Sequence, residues 1–303
     1  MFVVSYRIAG ATFRLELASD VPPFQRPPSQ WYRVADTAAD LLCRWRPVDA
    51  SSPTLPPLGS DEMAAASHVV FGLPAGWDSP VWRSPSVRAW LRTALEAPES
   101  VRLVMRDAAV AVLDFGRTEA EYFAAIPGDP VVVAGPGLWE IGPFLPSLSS
   151  AVVHSLGVVR SGIAGLFLAT DGGGKTTVAD LMPRGIILSD DQVVLRLQPE
   201  GLWAHSTPWG MVGMHPANAP LGAYFLLEHG DRFELTPVPA KAVLEYLWQE
   251  GLIHYHMLPR KLKVQAFDLL WHMSRQVPAY RVRFTKDFID WDAIDQVLSK
   301  QMV

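Results

Sequence analysis

The sequence predicts an α/β fold, with a domain of alternating strands and helices over residues 141–303 preceded by a β-rich region over residues 1–140. Three observations predict it. Apolar segments in the second half alternate between strand and helix character, the pattern of helices packed on a sheet. Within that half, LFLATDGGGKTTVADLM (residues 166–182) runs from an apolar strand through three glycines and a lysine into a helix. The first half has short alternating apolar segments broken by Gly and Pro, as strands and turns are.

Taken in order, FVVSYRI and ATFRLEL alternate around Gly10, as a hairpin does. VRLVMRD, AVAVLDF and PVVVAG are further strands, and SVRAWLRTAL is a helix. VPPFQRPP and SSPTLPPLGS are loops, because proline denies both helix and central strand. The boundary falls near residues 130–150, where GPGLWEIGPFLPS is rich in Gly and Pro. A first half that extends the same sheet is the alternative. Beyond it, VVHSLGVV and GLFLA are strands and TTVADLM opens a helix. GIIL, QVVLRL, YFLLE and PAYRVRF are strands, while AKAVLEYLWQ, KVQAFDLLWHMSR and DAIDQVLSK are helices.

Composition narrows the function. Apolar residues make up 49% of the 303 and charged ones 19%, enough for a packed core. A net charge of −5 argues against a nucleic-acid binder. The single Cys43 excludes a disulfide framework and a cysteine zinc site. The opening residues lack the apolar core of a signal peptide, and no apolar run spans a membrane. A soluble cytoplasmic protein is the expectation.

A phosphate loop turns several backbone N–H groups toward one point, which glycine allows. It adds a lysine for the β- and γ-phosphates and a hydroxyl for magnesium, in the pattern G-x-x-x-x-G-K-[ST]. Ala169 to Thr176 reads ATDGGGKT and departs only at Ala169. Thr170, Asp171, Gly172, Gly173, Gly174, Lys175, Thr176 and Thr177 are therefore the candidate ATP-binding residues, with Thr176 on Mg²⁺. Downstream, GIILSDDQVVL places Asp190 and Asp191 between two apolar runs. Beside magnesium and ATP, one carboxylate of such a pair accepts a proton from an attacking hydroxyl while the other holds the metal. A solvated turn is the plainer reading of the same pair.

Together SAVVHSLGVV, LFLATDGGGKTT and LSDDQVV resemble the C-terminal domain of HPr kinase/phosphorylase, whose core is related to the ATP-type phosphoenolpyruvate carboxykinases. His154 precedes Lys175 by 21 residues and Asp190 follows it by 15, a residue or two tighter than that family's spacing. The resemblance is strongest over residues 150–197. AHSTPWGM and the opening MFVVSYRIAGATFRLEL look like segments of small HPr-kinase-like proteins, some of which accompany peptide-modifying gene cassettes. The resemblance implies a P-loop serine kinase that transfers the γ-phosphoryl group of ATP to a protein or peptide. It gives the phosphates to Lys175 and the loop amides, Mg²⁺ to Thr176 and Asp191, and the base role to Asp190 or Asp191. It places His154 beside the transferred phosphate.

The sequence also departs from that family. Thr177 stands where an acidic residue follows the loop hydroxyl, and STPWGMVGMHPANAP carries His215 but no metal-binding glutamate. The phosphoprotein-binding signature is missing, so HPr is not the expected acceptor. A nucleotide-binding adaptor without transfer and a small-metabolite kinase are the alternatives. Trp209 and Gly210 are pocket or packing residues. Arg260, Lys261 and Lys263 read as a solvated helix start, with contact to a phosphate or an acidic peptide as the alternative. His254 and His256 lack a third metal ligand, and Asp180 is solvated. The oligomeric state is left open, a homo-oligomer included.

Overall fold

A computed structural model describes residues 2–17, 33–34, 38–47, 55–72, 77, 79–106, 109–124, 141–208, 216–251 and 255–300. VPPFQRPP, the strand expected in PVVVAG, Trp209, Gly210, His215 and His254 lie outside the described residues. The chain is mixed α/β and divides into two compact units, Met1–Phe144 with His256–Lys261 and Leu145–Tyr255 with Leu262–Val303.

The first unit is built on its own eight-stranded sheet and does not extend that of the second. Strands β1 (Phe2–Ile8) and β2 (Ala11–Leu17) form an antiparallel hairpin. Ile8 faces Ala11, and the two turn residues Ala9 and Gly10 have φ of 51° and 76°. That is the primed turn whose twist matches the strands. The sheet continues through β3 (Arg33–Val34), β4 (Leu41–Pro47), β5 (Val70–Gly72), β6 (Val101–Arg106), β7 (Ala109–Asp114) and β8 (Glu119–Ala124). Its order is β3-β1-β2-β4-β8-β7-β6-β5. Helices α1 (Ser60–Ala66) and α2 (Pro85–Glu96) pack on the strands. Pro85 starts α2, where its missing N–H costs nothing. Val87, Leu91 and Ala94 lie on one face of α2 and are buried with Trp82, Leu103 and Val112.

The second unit carries β9 (Ser150–His154), β10 (Leu156–Arg160), β11 (Ile163–Leu168), β12 (Ile186–Ser189), β13 (Gln192–Gln198) and β14 (Gly201–His205). It also carries β15 (Asn218–His229), β16 (Glu234–Val238) and β17 (Ala279–Phe284). The strand read from YFLLE thus begins well upstream, at Asn218. The sheet order is β12-β10-β11-β15-β14-β13-β9, with β17 beside β15 and β16 on β17. Pro237 is tolerated because, among the described residues, β16 pairs only with β17. The long strand β15 pairs antiparallel with β14 through Pro220, Ala219 and Asn218, then parallel with β11 and β17 farther along.

Among the described residues this unit also carries helices α3 (Lys175–Asp180) and α4 (Ala240–Tyr246), all of α5 (Arg260–Met273) beyond Lys261, and α6 (Trp291–Ser299). The helix read from AKAVLEYLWQ is α-helical only to Tyr246 and then widens into a π turn over Leu247–Gly251. Strand alternation sorts the core into two layers. Leu166 and Leu168 of β11 and Tyr224 of β15 join Val243, Leu244, Leu270 and Met273 on the α4 and α5 side. Phe167 and Phe225 join Val178, Trp291, Ile294 and Leu298 on the α3 and α6 side. Asp290 caps α6, accepting from the amide of Ala293 at 3.0 Å. Among the described residues no helix is long and apolar enough to cross a membrane.

Candidate functional site

Two chain corners build the site. Strands β9 and β10 are consecutive, yet β9 lies beside β13 at the sheet edge and β10 lies between β12 and β11. The chain changes neighbours at Ser155. Strands β12 and β13 do the same at Asp190 and Asp191. The amide of Ser155 donates to the carbonyl of Asp191 at 2.9 Å, so the corners are hydrogen-bonded neighbours. That bond leaves His154 and Gln192 facing each other as a non-hydrogen-bonded pair, where side chains come closest. The second corner is held from inside. The buried Ser189 hydroxyl accepts from the amides of Asp191 at 3.3 Å and Gln192 at 3.0 Å. The Thr207 hydroxyl donates to the Gln192 carbonyl at 2.6 Å.

The glycine loop leaves the end of β11 and enters α3. Gly172 and Gly174 have φ of 73° and 97°, a left-handed backbone that side chains with a Cβ resist. A Cβ on Gly174 would lie 2.4 Å from Phe284 Cζ and 3.1 Å from His229 Cε1. A Cβ on Gly173 would lie 2.7 Å from Ala169 Cβ. The Gly173 amide donates to the Thr170 carbonyl at 3.0 Å, closing the turn. Ala169 is not among the positive-φ residues, so the first loop position needs no glycine here. The helix has only six residues, and the positive end it offers is that of its first amides.

Lys175 is buried, with 8% of its surface exposed. Its Nζ donates to the carbonyls of Ala169 at 2.8 Å and Thr170 at 3.2 Å. Burial lowers its pKa, and the negative charges of Asp171 and Asp191 oppose the shift. His154 Nε2 lies 3.2 Å from Asp191 Oδ1 and 3.4 Å from Asp171 Oδ1. The Asp171 side chain is 97% exposed, so that second contact is weak. The structure thus groups four expected residues, His154, Asp171, Lys175 and Asp191, around one lysine ammonium and one imidazole. Thr176 is exposed on the first turn of α3, and Thr177 and Asp190 are half-buried. Asp180 is exposed on α3.

Magnesium takes oxygen ligands and usually borrows some from phosphates. Among the described residues, no group of three or more His, Cys, Asp or Glu side chains is placed to hold a metal alone. The hydroxyl of Thr176 and the carboxylate of Asp191 are hard oxygen donors of the kind magnesium takes. Tyr246 is the site residue that sequence reasoning missed. Its hydroxyl lies 2.8 Å from the Ala169 carbonyl and 3.0 Å from that of His154. The helical pattern of AKAVLEYLWQ carries no signal for that role.

A scan against protein-family models finds no match to this chain, and a search of curated proteins finds no significant match.

Proposed function

We propose that this chain is an ATP- and Mg²⁺-dependent kinase that transfers the γ-phosphoryl group to a hydroxyl, that of a serine in a protein or peptide. One observation carries the reading: the His154–Asp191 pair at 3.2 Å sits in the same charge cluster as the loop lysine. Phosphoryl transfer asks for positioning and charge neutralisation more than for covalent chemistry. Lys175 and the loop amides would hold the phosphates. Thr176 and Asp191 would hold magnesium, which neutralises charge on the phosphate oxygens when bound. Asp190 or Asp191 would accept the acceptor hydroxyl's proton, and His154 orients the Asp191 carboxylate. Strand ends bearing these groups hold them more rigidly than a free loop does.

The test is transfer of label from γ-labelled ATP to serine peptides, including any encoded beside this chain. Transfer by Lys175→Ala and Asp191→Asn at the wild-type rate would sink the reading. The absence of a glutamate from STPWGMVGMHPANAP and Ala169 at the head of the loop favour a second reading, an ATP-binding adaptor without transfer. Calorimetry that finds ATP binding, with no turnover across a broad acceptor screen, separates the two.

A further inference from the structure

We propose that Tyr246 is a positioning residue for Lys175: it shares the Ala169 carbonyl with the lysine and keeps that carbonyl bonded when the lysine turns to phosphate. The second half of this statement rests on the ATP reading above; the first does not.

Ala169 is buried, with 6% of its surface exposed. Its carbonyl oxygen has two lone pairs, and each has a donor. Lys175 Nζ and the Tyr246 hydroxyl both stand at 2.8 Å. The hydroxyl has one hydrogen and a second acceptor within reach, the His154 carbonyl at 3.0 Å. His154 sits in a non-hydrogen-bonded pair, so its carbonyl points away from the ladder with β13. The Tyr246 hydroxyl therefore stands between the end of β9 and the end of β11, the two strands that carry His154 and the glycine loop.

This arrangement sets the cost of moving Lys175. A lysine that leaves a buried carbonyl without a donor forfeits the hydrogen bond and gains nothing from water there. The hydroxyl hydrogen rests on the Ala169 carbonyl, the nearer of its two acceptors, and stays there as the lysine departs. The tyrosine is held for this by its helix, since Val243 and Leu244 of α4 are buried in the core. A tyrosine hydroxyl is protonated at neutral pH in any case, and burial raises its pKa further. Tyr246 touches neither phosphate nor acceptor in this scheme; it acts through the lysine.

The experiment uses Tyr246→Phe, which removes one oxygen and leaves the packing. Urea midpoints are measured without nucleotide for wild type, Tyr246→Phe, Lys175→Met and the double variant. ATP affinity is measured for wild type and Tyr246→Phe by calorimetry. Sharing predicts that the double variant's midpoint falls below the sum of the single effects, because only there does Ala169 lose both donors. It also predicts about tenfold weaker ATP binding by Tyr246→Phe. Additive midpoints overturn the sharing. Equal ATP affinity of wild type and Tyr246→Phe overturns the role toward phosphate. Non-additive midpoints with no ATP binding by the wild type overturn the kinase reading and that role, and leave the shared carbonyl standing.

Discussion

The amide of Ser155 donates to the carbonyl of Asp191 across 2.9 Å, and this one bond joins two corners that lie 36 residues apart in sequence. It fixes how His154, just before the first corner, meets Asp191 in the second. Their side chains end 3.2 Å apart.

Asp191→Asn keeps the shape of the corner and removes the charge facing His154 and Lys175. Loss of a positioned proton acceptor costs about 10²–10⁴-fold in rate. The expected outcome is a fall of at least that size in peptide phosphorylation, with ATP binding weakened in the presence of Mg²⁺ and changed far less without it, read from initial rates and from calorimetry. Asp190→Asn, measured in parallel, shows which aspartate of the pair carries the larger share.

Lys175→Met removes the charge that would meet phosphate. Loss of one preorganised electrostatic contact costs about 10²–10³-fold in rate. Stability should respond differently. The pKa of Lys175 is lowered in the folded state, so between that value and 10.5 the unfolded chain binds more protons. Lys175 therefore makes stability rise with pH through that window. Lys175→Met should flatten the rise in the urea midpoint on the alkaline side.

Gly174→Ala tests the loop geometry. The new Cβ meets the fully buried Phe284 ring at 2.4 Å on a backbone with φ of 97°. Strain of this kind costs about 1–3 kcal/mol, before any shift of the ring. The expected result is a lower thermal midpoint and loss of ATP binding. Thr170→Ala, at an exposed loop position, should leave the midpoint unchanged.

His205 predicts an acid limb. It is buried beside Gln198, whose Nε2 lies 3.3 Å from its Nε2, and burial lowers its pKa from 6.5 to about 4. A lowered histidine pKa means that the unfolded chain binds the proton first, so stability falls as pH drops from 6.5 toward 4. The full effect is about 3 kcal/mol at 1.36 kcal/mol per pKa unit. His205→Gln should remove most of that fall in unfolding experiments across the same range.

The sequence by itself determined the local parts. Alternation gave the β1–β2 hairpin, and the strand, glycines and lysine of 166–182 gave a loop between β11 and α3. The helical patterns of SVRAWLRTAL and DAIDQVLSK gave α2 and α6. These are nearest-neighbour effects of backbone sterics and hydrophobic period, and they need no distant partner. The separate sheets of the two units were beyond reach, because strand pairing joins residues far apart in sequence. So was the length of β15, whose twelve residues serve two sets of neighbours.

The candidate site divides along the same line. The residue types and spacing of Lys175, Asp190, Asp191 and His154 were legible as chemistry. Their meeting was not, since it depends on two corners and the bond between Ser155 and Asp191. Nor was the choice of Asp191 over Asp190 as the partner of His154, which the register of β9 against β13 decides. Tyr246 was silent altogether. It reads as one more apolar helix position, and only the tertiary structure brings its hydroxyl to two carbonyls that lie 15 residues apart in the chain. Local sequence fixes which groups a strand end or loop offers; the long-range pairing of strands decides which of them share a hydrogen bond.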